Sequence, residues 1–205
     1  MSPKVSKEHL QQRRIKIVEA AKQVFIEYGY EHTTMKHVMD ASNVSRGGLY
    51  QYFSNKEELY EVILEERLEK TLNETRELLE DNVDSYWELL LLRMFGESKE
   101  PNDRMDPLAS SSLEFFITGR NDDRRRKYGE KRYRYGLKLY SEVIEAGQKN
   151  KQFSQKYDSE IIARTIVSFI DGLALDHAIL SSEDLKMKEQ SILFVQYLKM
   201  ALEVE

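Results

Sequence analysis

Two short stretches of helical apolar spacing, residues 35 to 41 and 46 to 52, are separated only by Ser42, Asn43, Val44 and Ser45. So short a link leaves room for neither a strand nor a long excursion. The two helices must therefore pack across a tight turn, as a helix-turn-helix. Val38 and Ala41 then need a third element to cover them, and the preceding segment supplies it. From Lys7 to Tyr28, the residues Leu10, Ile17, Val18, Ala21, Val24, Phe25 and Tyr28 recur at helical spacing with charges between them, which predicts an amphipathic helix. Gly29 suits its C-cap. Thr33 or Thr34 can cap the second helix, Ser45 the third, and Ser54 or Asn55 a long fourth that begins near Lys56 with Glu57 and Glu58 at its positive end.

Leu59, Ile63, Leu72 and Leu79 carry that fourth helix toward residue 81. Further helices are expected over about 84–96, 105–118, 122–148, 158–180 and 184–203. They are punctuated by Gly96 to Pro107, Gly119 with Asn121, the polar stretch 149–157, and Ser181 with Ser182. Three prolines and nine glycines in 205 residues rich in Glu, Lys, Leu and Arg agree with helix throughout. The expected fold is all-α, with a helix-turn-helix domain over residues 1–55 joined to a helical bundle over 56–205.

The absence of cysteine excludes disulfide frameworks, thiolate zinc sites and cysteine nucleophiles, and suits a reducing compartment. Of the four histidines, His9, His32, His37 and His177, only His32 and His37 are close in sequence; five apart, they do not share a helical face, so no metal site is expected. No motif calls for a cofactor. The N-terminus lacks the apolar core of a signal peptide and no stretch is long and apolar enough for a span, so the expected location is the cytoplasm. The net charge of −5 is divided unevenly: residues 1–56 hold nine Lys and Arg against five acids, a net +4 that leaves −9 for the rest. A basic end on an acidic body is the asymmetry expected when one end meets phosphate.

The segment from Gly29 to Leu59 makes the reading specific. Ala20, Ala21, Phe25, Gly29 and Tyr30, then Thr33, Thr34 and Val38, then Val44, Ser45, Gly47, Leu49, Tyr50, Phe53, Lys56 and Leu59 together resemble the DNA-binding signature of the TetR family. The resemblance covers about 50 residues and departs mildly at Asn43, where a glycine often stands, and at Met39, where alanine is usual. Asn tolerates turn conformations and Met packs adaptably, so neither threatens the fold. The resemblance implies a ligand-responsive transcriptional regulator, not an enzyme. It would bind double-stranded DNA at a palindromic operator as a homodimer and be released by a small, largely apolar effector held inside the bundle. Repression is the expected sense, with activation open.

Chemistry assigns roles to the same residues. Gly47 and Gly48 let the third helix come close to base edges. Arg46 can read a guanine or grip a phosphate, and Gln51 is either a base contact or a solvated side chain. Thr34, Ser45, Tyr50, Tyr52 and Lys56 offer hydroxyls and a charge that suit phosphate oxygens, whereas Phe25, Val38, Val44, Leu49 and Phe53 read as core. In the bundle, where the resemblance implies a pocket, Trp87, Met94, Phe95, Phe115, Phe116, Tyr133 and Tyr140 are candidate effector contacts, although most aromatic and Met residues at helical spacing are simply core.

The last two helices are apolar over more than one face. Their Ile166, Phe169, Ile170, Leu173, Leu193 and Leu198 are expected in a four-helix dimer interface. The run from Arg120 to Arg134, basic and interleaved with tyrosines, could pass for an RNA-binding or membrane-surface patch, but the acidity of the domain favours a solvated face pairing with the acidic fourth helix. Two other functions compete. A hydrolase would have to be assembled from Ser168 or Ser181 with His177 and Asp176, without a nucleophile elbow. A helical interaction module without operator binding is opposed by Arg46, Tyr50 and Lys56.

Overall fold

A computed structural model describes residues 7–80 and 83–204. Its helices are α1 (Lys7–His32), α2 (Met35–Ser42), α3 (Arg46–Tyr50), α4 (Lys56–Glu80), α5 (Tyr86–Phe95), α6 (Ala109–Thr118), α7 (Asp123–Lys149), α8 (Ser159–Ile179), α9 (Ser182–Leu185) and α10 (Met187–Leu202), with one 3-10 turn at Gly96–Ser98. Among the described residues there is no strand, as the composition required. The expected end of α4 near residue 81 lies just outside the described residues. The chain divides into two compact units: one runs to Arg67 and includes Pro107–Asn121, the other comprises Leu68–Asp106 and Asp122–Glu205.

In the first unit, α1 buries Ile17, Val18, Ala21, Val24 and Phe25 of the stripe its spacing laid out, while Leu10 is half-buried and Tyr28 exposed. The helix breaks at Gly29, whose φ of 71° and ψ of 177° are costly for a residue with a side chain. A Cβ there would also lie 2.6 Å from Glu114 Oε1, so the Glu114 carboxylate would have to shift to admit one. Glu114 belongs to α6 and accepts a hydrogen bond from the Glu31 amide at 3.0 Å, while Thr118 Oγ1 donates to Glu31 Oε1 at 2.7 Å. Beneath these contacts lies an aromatic cluster. Phe25 meets Tyr60 at 4.5 Å between ring centroids, and Phe115 packs edge-on to Tyr30 at 4.8 Å and against Tyr60 at 5.2 Å. The Tyr60 hydroxyl is hydrogen-bonded to Ser111 Oγ at 2.8 Å and Ser112 Oγ at 3.1 Å, so this buried polar tip is satisfied.

In the second unit, α7 packs on both α5 and α8. Leu89, Leu90, Leu137, Tyr140, Val143, Ile144, Ile162, Ile166 and Leu198 form one buried core. Asp158 caps α8 by accepting from the Glu160 and Ile161 amides, and Phe169 stacks on Phe194 at 4.0 Å. The single helix expected over 184–203 is two. Lys186 takes a left-handed conformation (φ 46°) that ends α9, a four-residue helix capped by Ser181, and starts α10. Nothing in the apolar spacing marks this break, because Leu185 and Met187 on either side of it are both buried.

Candidate nucleic-acid interface

The turn between α2 and α3 is built by local chemistry. Thr34 Oγ1 accepts from the His37 amide at 3.2 Å to start α2, and Asn43 ends it in the left-handed region (φ 53°), the conformation its side chain tolerates best after glycine. Ser45 Oγ accepts from the Gly48 amide at 3.2 Å and starts α3. In both caps the hydroxyl uses a lone pair, which leaves its own O–H to donate outward. Thr34 and Ser45 are exposed, as a phosphate contact requires.

On α3, Leu49 is fully buried and anchors the helix, while Arg46, Gly47, Tyr50 and Gln51 are exposed. The Arg46 guanidinium lies over the Tyr50 ring, 5.7 Å from its centroid, so the pair forms one projecting unit. The two glycines differ. Around Gly47 nothing lies within 4 Å of where a Cβ would be, whereas at Gly48 a Cβ would stand 2.7 Å from Arg13 Nη2. Gly47 thus leaves the helix face open to a surface approaching from outside, and Gly48 admits the guanidinium of Arg13 from α1. Arg13 carries no local signal of this role, since it reads as one more charge on an amphipathic helix.

Two other expected phosphate contacts have different surroundings. The Tyr52 hydroxyl is enclosed and has no hydrogen-bond partner, so it does not project toward solvent. Lys56 Nζ donates to the carbonyl oxygens of Tyr30 at 2.8 Å, Glu31 at 3.0 Å and Thr33 at 3.2 Å, and lies 4.5 Å from the Tyr30 ring centroid. All three ammonium protons are engaged at the C-terminal end of α1, where a cation is favoured. Lys56→Met is therefore expected to lower the unfolding free energy by about 1–3 kcal/mol. Thermal and urea denaturation would measure it, and an unchanged midpoint would mean that these hydrogen bonds contribute nothing net. Asn55, rather than Ser54, caps α4 by accepting from the Glu58 amide at 2.8 Å, while Glu58 Oε2 accepts from the Ser54 amide at 2.8 Å.

The residues expected around an effector do not all come together. Tyr140, Trp87 and Met94 belong to the core of the second unit, and Phe95 is half-buried at the end of α5. Phe115 and Phe116 lie on α6 in the first unit, where Phe115 is fully buried against Tyr30 and Tyr60. Tyr133 is exposed, with Arg164 5.9 Å from its ring centroid. The dimer set separates in the same way. Ile166, Leu173 and Leu198 are buried within the chain itself and Phe169 and Ile170 are half-buried, whereas Leu193 is exposed. The exposed apolar residues are instead Ile161, Leu175 and Ile179 on α8 and Ile192, Leu193, Tyr197 and Met200 on α10, with Ile179 71% and Met200 66% exposed.

The basic run on α7 is solvated. Arg126 pairs with Asp123 at 3.3 Å and Glu130 at 2.8 Å on its own helix, and Lys127, Glu130, Lys131, Arg134, Tyr135 and Lys138 line a shallow open groove. The pairing between α4 and α7 has the opposite sense to that expected, with Arg76 on α4 and Glu142 on α7 at 3.0 Å. This hydrogen-bonded carboxylate raises the Arg76 pKa. On α8, Ser168 is exposed and Asp176 and His177 are half-buried.

Residues 17–63 match the family described as bacterial regulatory proteins, tetR family, and residues 95–188 match the tetracyclin repressor-like C-terminal domain. The chain is 35% identical over 173 residues to the uncharacterized HTH-type transcriptional regulator YfiR of Bacillus subtilis, covering 84% of this chain and 83% of that one. It is 37% identical over 68 residues, 33% of this chain and 36% of the other, to the HTH-type transcriptional repressor Rv1474c of Mycobacterium tuberculosis. In fold it is similar to Salmonella enterica GusR, with a TM-score of 0.71 and 23% identity over 97% of this chain and 98% of that one. The chain belongs to the TetR family of helix-turn-helix, DNA-binding transcriptional regulators. Members of this family are regulators and not enzymes, which removes the hydrolase reading of Ser168, His177 and Asp176. No helix among the described residues is long and apolar enough to cross a membrane.

Proposed function

We propose that the protein is a homodimeric repressor that binds a palindromic operator through α2 and α3 in the cytoplasm and is released when a small effector enters its second unit. The observation that carries the DNA reading is the exposed face of α3. Arg46 and Tyr50 project beside Gly47, whose missing side chain leaves open space, and the hydroxyls of Thr34 and Ser45 flank them. This juxtaposes a base-reading cation with phosphate donors on a helix short enough to enter a major groove. Gln51 is a further exposed candidate, while Lys56 is engaged with the carbonyls that end α1 and the Tyr52 hydroxyl is enclosed.

The dimeric reading rests on the exposed apolar stripes of α8 and α10, and a two-fold axis between such faces would match the symmetry of a palindrome. The repressor sense is supported by the Mycobacterium tuberculosis relative, which is named a repressor. Arg46→Ala is expected to cost roughly 1–3 kcal/mol per half-site and to relax preference at one base pair in each half of the operator. The test is binding to operator and point-mutated operators over a salt series. If the ranking of sequences is unchanged and only the slope of log affinity against log salt flattens, Arg46 holds phosphate and base reading moves to Gln51.

A further inference from the structure

Within the apolar run of α5, Tyr86-Trp-Glu-Leu-Leu-Leu-Leu-Arg-Met-Phe95, one cation stands among leucines. The Arg93 side chain is only 9% exposed, and its Nε is buried with no hydrogen-bond partner. Its ion pair is incomplete: Nη1 is 4.0 Å from Glu74 Oε2, at the limit of such a contact, and the other oxygen of Glu74 faces Lys70 at 3.8 Å. A buried guanidinium without a full set of acceptors is costly, and a site that retains one invites an explanation.

The geometry of the guanidinium narrows that explanation. Nη1 is turned to Glu74, so the open edge is the one formed by Nε and Nη2. Two parallel N–H groups on that edge match the two oxygens of a carboxylate. On the same face of α5, one turn before Arg93, Leu89 and Leu90 are buried in the core to which Tyr140 on α7 also belongs. Burial lowers the Arg93 pKa and raises that of Tyr140 well beyond its usual range, and each group acts on the other electrostatically. The medium there has low polarity, in which an anion paired with Arg93 is held more strongly than in water.

We propose that the second unit binds an organic anion of mixed character, its carboxylate received in a bidentate manner by the Nε–Nη2 edge of Arg93 and its apolar body lodged against Leu89, Leu90 and Tyr140. This deepens the effector reading above and rests on it, replacing a purely apolar ligand by an apolar acid.

The chain has a single tryptophan, Trp87, so its emission reports on this unit directly. The full chain would be titrated with decanoate and 2-naphthoate, and in parallel with 1-decanol and 2-naphthalenemethanol. At least one acid is expected to bind about tenfold or more tightly than its matched alcohol. Arg93→Met is expected to abolish that preference while leaving alcohol binding in place. Arg93→Lys keeps the charge without the fork and should retain only part of the preference; it carries the comparison if the Met variant fails to fold. Equal affinity for acid and alcohol in the wild type, no binding of any of the four, or an undiminished preference in both variants overturns the proposal. Operator binding separates the two readings. An acid that binds through Arg93 without weakening operator binding overturns effector release and leaves the anion site standing. An alcohol that releases the operator as well as its acid does the reverse.

Discussion

Ile179→Glu combined with Leu193→Glu is expected to convert a dimer at micromolar concentration into a monomer. Both side chains are exposed in the single chain, so a carboxylate at either position costs the fold of one subunit little. In a two-fold interface each substitution appears twice, and four carboxylates would have to be buried without partners. Such burial costs several kcal/mol, and each 1.4 kcal/mol is a tenfold loss of association. Light scattering coupled to size exclusion reads the mass, and circular dichroism confirms that the helices remain. Operator affinity should fall with dimerisation, because a monomer engages one half-site at a time. A wild-type monomer, or a variant that stays dimeric with unchanged affinity, would place the interface elsewhere.

Phe115→Ala is expected to lower the unfolding free energy by about 3–5 kcal/mol, the range for deleting a buried aromatic ring. Phe115 is fully buried and joins α6 to Tyr30 and Tyr60, so the cavity would open in the middle of the first unit. The loss should appear in urea denaturation and, near the unfolding midpoint, as weakened operator binding. Phe116, only half-buried beside it, should lose less on the same truncation. The comparison also decides between two roles for Phe115. A ligand contact would show a shifted effector affinity at unchanged stability, whereas a core residue shows the stability loss whether or not effector is present.

The local rules that build α2 and α3 were legible in the sequence because they act over three or four residues. Thr34 and Ser45 cap helices as their side chains allow, and Asn43 takes the left-handed turn that ends α2. The middle of the apolar stripe of α1, from Ile17 to Phe25, is buried where its spacing put it, whereas Leu10 is half-buried and Tyr28 exposed at its two ends. The helix-turn-helix and the all-helical class followed from these features, and the family from the same 50 residues.

Tertiary structure decided which apolar surface meets which. α6 is separated from α1 by more than 70 residues, and only the folded chain shows that its Phe115 completes the core of the first unit. The last helices are apolar on two sides, and spacing does not say that Ile166 and Leu198 turn inward while Ile179 and Met200 turn outward. The same holds for charge. Lys56 and Arg13 read as surface cations, yet one holds the carbonyls that end α1 and the other lies over Gly48, through contacts between residues 23 or more apart. Helix formation and capping are settled by neighbours along the chain, so sequence determined them. The partner of a helical face or of a long side chain is settled by residues distant in sequence, and only the packed structure brings those within reach.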